Sequence, residues 1–208
     1  NITGTHNLDS VSIDWCNSGT GNIANVTLNH LNLHNDNGPS SGCDEGIRLT
    51  NITNGTVLNS IFNGEGACYS STGTTGIYSA GLSNVTVVNS ILENTPNTGS
   101  PDQTGMDFEG FSDQVHIRDS YIAGNAASGI EILTIHGSGG YNTNHEIAGN
   151  LFVNNGGSSI ERIGSDATPT GTIHDNLYYE PTGFTRGDLS SFTFTNNLSL
   201  SSLSTLYN

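Results

Sequence analysis

Three features of the sequence predict an all-β chain wound as a coil of stacked parallel strands. A nine-residue unit returns at near-constant spacing, a second short strand precedes most returns, and nothing between them suits a helix. Short strands repeating every ~30 residues cannot bury a core singly and must stack on their neighbours.

The main unit is read by superposition. Asn54-Gly-Thr-Val-Leu-Asn-Ser-Ile-Phe62 returns as Asn84-Val-Thr-Val-Val-Asn-Ser-Ile-Leu92, then as Gln114–Ile122 and as Asn144–Phe152. Upstream it begins at Asn25, and downstream it shortens to Thr172–Tyr178 and Thr193–Ser199, which makes seven occurrences. Ahead of it recurs a second strand: Gly46–Leu49, Gly76–Ser79, Gly105–Phe108, Gly129–Ile132 and Ser159–Arg162. Both segments alternate with period two, are rich in Ile, Val, Leu and Phe, and end in Gly/Asn turns. Intervening stretches such as Gly64–Thr75 are too rich in Gly, Ser and Thr for the crossover helix of a βαβ unit. One domain, 1–208, is expected.

Strand alternation assigns the faces. Val85, Val87 and Asn89 are expected to point inward, so Leu28, Val57, Val87, Ile117, Ile147, Ile173 and Phe194 form an aliphatic file. His145, one coil on from Val115, falls on an inward file. The turn column reads His30, Asn59, Asn89, Asp119, Gly149, Asp175, Asn196, and an inward side-chain amide at such a turn can bond the amide of the next coil.

In these repeats and turn asparagines, between about Val11 and Leu200, the chain resembles the right-handed parallel β-helix of the pectate-lyase-like superfamily. That resemblance implies a right-handed single-stranded solenoid whose turn asparagines stack in a ladder, which the turn column matches in part; the seven occurrences set about seven coils. It also implies a substrate cleft along the outer face of one sheet, between loops from the turns. It does not select an activity, because the superfamily spans lyases, hydrolases, epimerases, tailspikes and adhesins. The long turns Asn63–Thr75, Asn94–Thr104 and Thr134–Asn144 lie next to the second strand.

On that strand the outward column reads Arg48, Tyr78, Asp107, Glu131, Glu161, with Glu109 two residues beyond Asp107. An exposed line holding a cation, an aromatic ring and several acids has the composition of a sugar groove. Asp107 and Glu131 are the acid/base candidates, Glu161 and Glu109 their support, and Tyr78 and Arg48 the sugar contacts. Neighbouring coils would set Asp107 and Glu131 about 5 Å apart at the backbone, and such a like-charge pair raises one pKa. A solvated strand face is the plainer alternative. A lyase assisted by calcium is the rival mechanism, with Asp102, Asp107, Glu109 and Asp113 as oxygen ligands. No EF-hand or nonapeptide calcium motif is present, and no other cofactor or metal is expected.

Composition narrows the partners. The 208 residues carry a formal charge of −15, four arginines (Arg48, Arg118, Arg162, Arg186) and no lysine. Such a chain has no basic patch with which to bind nucleic acid or an anionic membrane surface, and no apolar run approaches a membrane span. The balance suits an extracellular or cell-surface location, with a polysaccharide or glycan as partner. It argues against polyanionic substrates unless calcium bridges them. Cys43 and Cys68 are 25 residues apart, close to the repeat, and are candidates for a disulfide; Cys16 would remain. Sequons occur at Asn1, Asn25, Asn51, Asn54, Asn84 and Asn197, either as glycan acceptors or as a turn consensus that spells N-x-T. Neither end shows a capping element, so a segment of a longer chain and an open-rimmed rod associating end to end are both expected readings. A non-catalytic structural, adhesin or fibre-forming module is the alternative to an enzyme.

Overall fold

In a computed structural model, residues 11–13, 23–34, 45–64, 74–99, 102–134, 142–164 and 168–200 are described. Every regular element among them is a strand, and every pairing is parallel. The chain is a β-solenoid that visits three sheets in rotation. The first sheet stacks Val11–Ile13, Glu45–Thr50, Thr74–Ala80, Asp102–Glu109, Ile130–Thr134, Ile160–Gly164 and Thr185–Arg186. The second runs from Ile23–Ala24 to Phe192–Thr195, and the third from Asn32–His34 to Leu198–Ser199. Each path counts seven strands, but the fully formed body is about four turns, 45–153, rather than seven equal coils. Outside it most strands shrink to two to four residues and the repeat contracts, with Glu146 pairing Thr172 and Thr172 pairing Thr193.

The core is the inward half of the alternation. Ile47, Ile77, Met106, Ile130 and Ile160 stack in register in the first sheet, and Val57, Val87, Ile117, Ile147 and Ile173 in the second, all essentially inaccessible to water. Phe194, expected at the end of the second file, is exposed, because it lies on the last rung. His145 does turn inward: its Nδ1 accepts the Val115 N–H at 3.2 Å and its ring meets Phe108 edge-on. Burial, the largest influence, holds it neutral, with its pKa pushed down to about 3.

Coil-to-coil contact at the head of three successive first-sheet strands is so close that only glycine fits, whereas Ser159 heads the fourth. A Cβ on Gly76, Gly105 or Gly129 would lie 2.6–2.8 Å from a carbonyl oxygen of the next coil. This explains the glycine that opens the second repeat strand.

At the expected column the amide stacking is on the outside, Asn89 Nδ2 donating to Asn59 Oδ1 at 2.7 Å, and the buried ladder lies one residue later. Asn59, Asn89, Asp119, Asp175 and Asn196 adopt positive φ and are exposed or partly so, which turns the chain and swings the following residue inward. That following residue makes the buried ladder: Ser60 N–H to Ser90 Oγ, Ser90 N–H to Ser120 Oγ, Ser120 N–H to Asn150 Oδ1, Asn150 N–H to Asn176 Oδ1. A companion ladder at the next corner runs Thr95, Asn125, Asn155, Glu180. Alternation alone placed Asn89 inward; a left-handed turn residue resets the phase by one.

Candidate functional site

The first sheet brings the expected outward column together in strict register: Arg48 beside Tyr78, Tyr78 beside Asp107, Asp107 beside Glu131, Glu131 beside Glu161. The register adds Arg186 below Glu161. Three carboxylates therefore stand on consecutive strands, one strand spacing (~4.8 Å) apart at the backbone, with an aromatic residue at one end and cations beyond both ends.

The column is not the open line that the sequence led us to expect. Asp107 is 0% exposed, Glu131 2% and Glu161 7%. Alternation fixes which way a side chain points but not what lies over it, and in a parallel in-register stack each carboxylate is flanked by the side chains above and below. Burial of acids without full pairing is costly, and the protein responds by keeping a proton. Burial first, then the charges of Asp102, Glu161 and Glu109, push Glu131 up to about 8. Its Oε1 is buried with no hydrogen-bond partner among the described residues. Asp102, at the start of the same strand as Asp107, is raised to about 6 by burial and then by Glu109.

The ends of the file are tied differently. Tyr78 donates its hydroxyl to Glu109 Oε2 at 2.9 Å, and the Arg48 guanidinium lies over its ring, 4.8 Å from the centroid. Burial and then the Glu109 charge push the Tyr78 hydroxyl well above its usual range. Tyr78 and Glu109 thus work as a pair. Glu161 accepts from Ser128 Oγ at 2.6 Å and meets Arg186 Nε at 3.2 Å. Ser128 and Arg186 were not singled out by sequence. Arg186 follows Glu161 by a shortened repeat, so a scan for contracting periods would have found it; Ser128 reaches in from the segment before its strand and leaves no periodic signal.

The proposed calcium ligands are not all gathered here. Asp113 sits beyond the turn, on the second sheet, where Thr143 Oγ1 and Asn144 Nδ2 donate to it. Among the described residues no group of three or more His, Cys, Asp or Glu is arranged to hold a metal ion.

A second polar cluster occupies the outer face of the second sheet. Glu146 receives His116 at 3.1 Å, His174 at 3.2 Å and the Arg118 guanidinium, while His174 also meets Asp175 at 2.7 Å.

Four sequon asparagines sit in left-handed backbone, Asn25 and Asn51 between strands and Asn54 and Asn84 within them. Asn25, Asn51, Asn54 and Asn84 all have positive φ and are exposed, and Asn84 Nδ2 donates to Asn54 Oδ1 at 2.9 Å. The Asn197 amide bonds the Ile173 carbonyl and receives the Asn176 amide, so its side chain is already engaged. Asn1, Cys16, Cys43 and Cys68 lie outside the described residues, as does the candidate disulfide. Compared with family models, curated proteins and solved structures, the chain matches none.

Proposed function

We propose that this chain is an extracellular, carbohydrate-active β-solenoid protein, similar to the pectate-lyase-like superfamily, that acts on a polysaccharide along the outer face of the first sheet. The observation that carries this reading is the in-register file Asp107, Glu131, Glu161, three acids screened from water on one face. Glycoside cleavage needs one acid that keeps its proton near neutrality and one that does not. Glu131 supplies the first role, protonating the leaving glycosidic oxygen. We assign the second role, attacking the anomeric carbon or drawing a proton from water, to its register partner Asp107 on position alone. Glu161, fixed by Ser128 and Arg186, and Glu109, fixed by Tyr78, hold the surrounding charge; Arg48 and Tyr78 contact the sugar. A lyase would use the same face differently, abstracting a proton next to a uronate carboxyl group, and the −15 charge disfavours that substrate.

The depth of Asp107 and Glu131 favours one competing reading, a non-catalytic surface or fibre-forming rod in which the acids are structural. A polysaccharide panel separates the two, read by new reducing ends and by absorbance of unsaturated products. Hydrolysis is expected, falling at least a hundredfold in Glu131→Gln and in Asp107→Asn. Turnover that survives both substitutions discards the site, and inactivity across the panel together with concentration-dependent association supports the rod.

A further inference from the structure

One turn of the solenoid carries a residue that its geometry disfavours. The corner between the first and second sheets is made by Asn51, Gly81 and Phe111 in successive coils, with φ of 52°, 63° and 60°. Asn and Gly are the residues that tolerate this left-handed region, whereas a bulky aromatic side chain there is an outlier. Backbone strain of this kind concentrates at functional sites, where the side chain is worth more than the comfort of the turn. Phe111 is also 46% exposed, so its ring is not held in the strained turn by burial in the core.

The ring stands between two surface grooves. One, of about 500 Å³, is lined by Thr50, Asn51, Gly81, Tyr78 and Glu109. The other, of about 720 Å³, is lined by Asn51, Thr53, Ser83, Asp113, Thr143 and Asn144. Both volumes fall in the range of small-molecule sites. Asn51, Gly81 and Phe111 border both, so the two form a continuous trough with the ring on its divide. Beside Ala80, Leu82 and the ring itself the walls offer hydroxyls, amides and two carboxylates, and among the described residues no cation lines either groove. Such walls exchange hydrogen bonds with a ligand rich in hydroxyl groups and repel an anionic one, while an exposed aromatic face stacks on the axial C–H side of a pyranose.

We propose that Phe111 is the stacking platform of a glycan-binding subsite that seats a neutral pyranose in this trough. The proposal rests on the carbohydrate reading of the first sheet and extends it. The trough begins at Tyr78 and Glu109, which border the acid file, so one chain of sugar units would span both. Glu109 and Asp113 accept hydroxyl protons at either side of the ring, and the Ser83 hydroxyl adds a donor.

Affinity electrophoresis in gels containing a neutral glucan, mannan, galactan or xylan, or a polyuronate, tests binding independently of turnover. Retardation in at least one neutral gel is expected, with affinity reduced tenfold or more in Phe111→Ala and retained in Phe111→Trp. Phe111→Asn is the decisive companion: it should lose the same affinity while its Tm rises, because Asn relieves the turn. Wild-type retardation in Phe111→Ala, retardation by the polyuronate alone, no retardation in any neutral gel, or a lowered Tm in Phe111→Asn would each overturn the proposal. Hydrolysis abolished by Glu131→Gln without Phe111-dependent retardation rejects this subsite alone; retardation without any hydrolysis rejects the catalytic reading alone.

Discussion

Glu131 and Glu146 occupy comparable places on adjacent sheets of one solenoid, each outward on a central strand, yet they are in opposite electrostatic states. Glu146 keeps about a fifth of its side chain in water and collects His116, His174 and Arg118. Although burial opposes it, those hydrogen bonds hold its carboxyl below the usual range. Glu131 is 2% exposed, stands among other acids, and is pushed up to about 8. The scaffold is the same; the supply of donors within one coil spacing decides the proton. One face makes a stable charged cluster, the other a stored acid.

The comparison is broken most forcefully at Glu131. Because its folded pKa lies above the ordinary value of 4.5, its contribution to stability is complete below that value and is lost as pH rises through about 8. Glu131→Gln should therefore be more stable than the parent at pH 9, by on the order of 3 kcal/mol, in denaturant titrations followed across pH. Variant and parent are compared between pH 6.5 and 9, a window in which His174 also titrates, alike in both. Below it His145, lowered to about 3, acts in the opposite sense, stabilising above 6.5 and losing that contribution as pH falls toward 3. An unchanged pH profile in Glu131→Gln would mean that the acid is hydrated and ionised after all.

Ser128→Ala makes Glu161 more like its neighbour. It removes a buried donor from a nearly buried carboxylate, leaving Arg186, and should cost about 1–2 kcal/mol in urea denaturation. No loss would show that Arg186 alone satisfies Glu161.

The smallest effect is expected where donors are plentiful. Glu146→Gln should cost no more than about 1 kcal/mol, shrinking as salt is raised, since the cluster is partly exposed. His174 is raised by its bond to Asp175 first and then by Glu146, so its contribution is present below 6.5 and lost as pH rises through its folded value. Glu146→Gln should narrow that window, visible by NMR titration of the imidazole. A large, salt-independent loss would place Glu146 with the buried acids instead.

The sequence disclosed the vertical order of this molecule better than its depth. The offsets of 29, 30, 26 and 21 residues reproduce the pairing of Thr27 with Thr56, Thr86 with His116, Glu146 with Thr172 and Thr172 with Thr193. The Arg48-to-Glu161 column was legible although its offsets vary (30, 29, 24 and 30), because the recurring apolar-x-apolar strand sets the register. What lies over a column is not periodic, so the burial of Asp107 could not be read. The inward ladder was misplaced by one because left-handed Asn and Asp residues interrupt the alternation, and Phe111 was passed over because an aromatic residue in such a turn looks like ordinary strand sequence.

The buried amide clamps reach in one direction. Asn150 accepts the Ser120 N–H and donates to the Ile117 carbonyl; Asn155 does the same for Asn125 and Ile122, and Asn176 for Asn150 and Ile147. Every clamp serves the coil that emerged earlier from the ribosome. Removing a coil from either side breaks the strand pairing, but only removal from the C-terminal side also takes away the side chains that clamp the coil left behind. Growth of the spiral is completed retroactively, each turn finished by its successor.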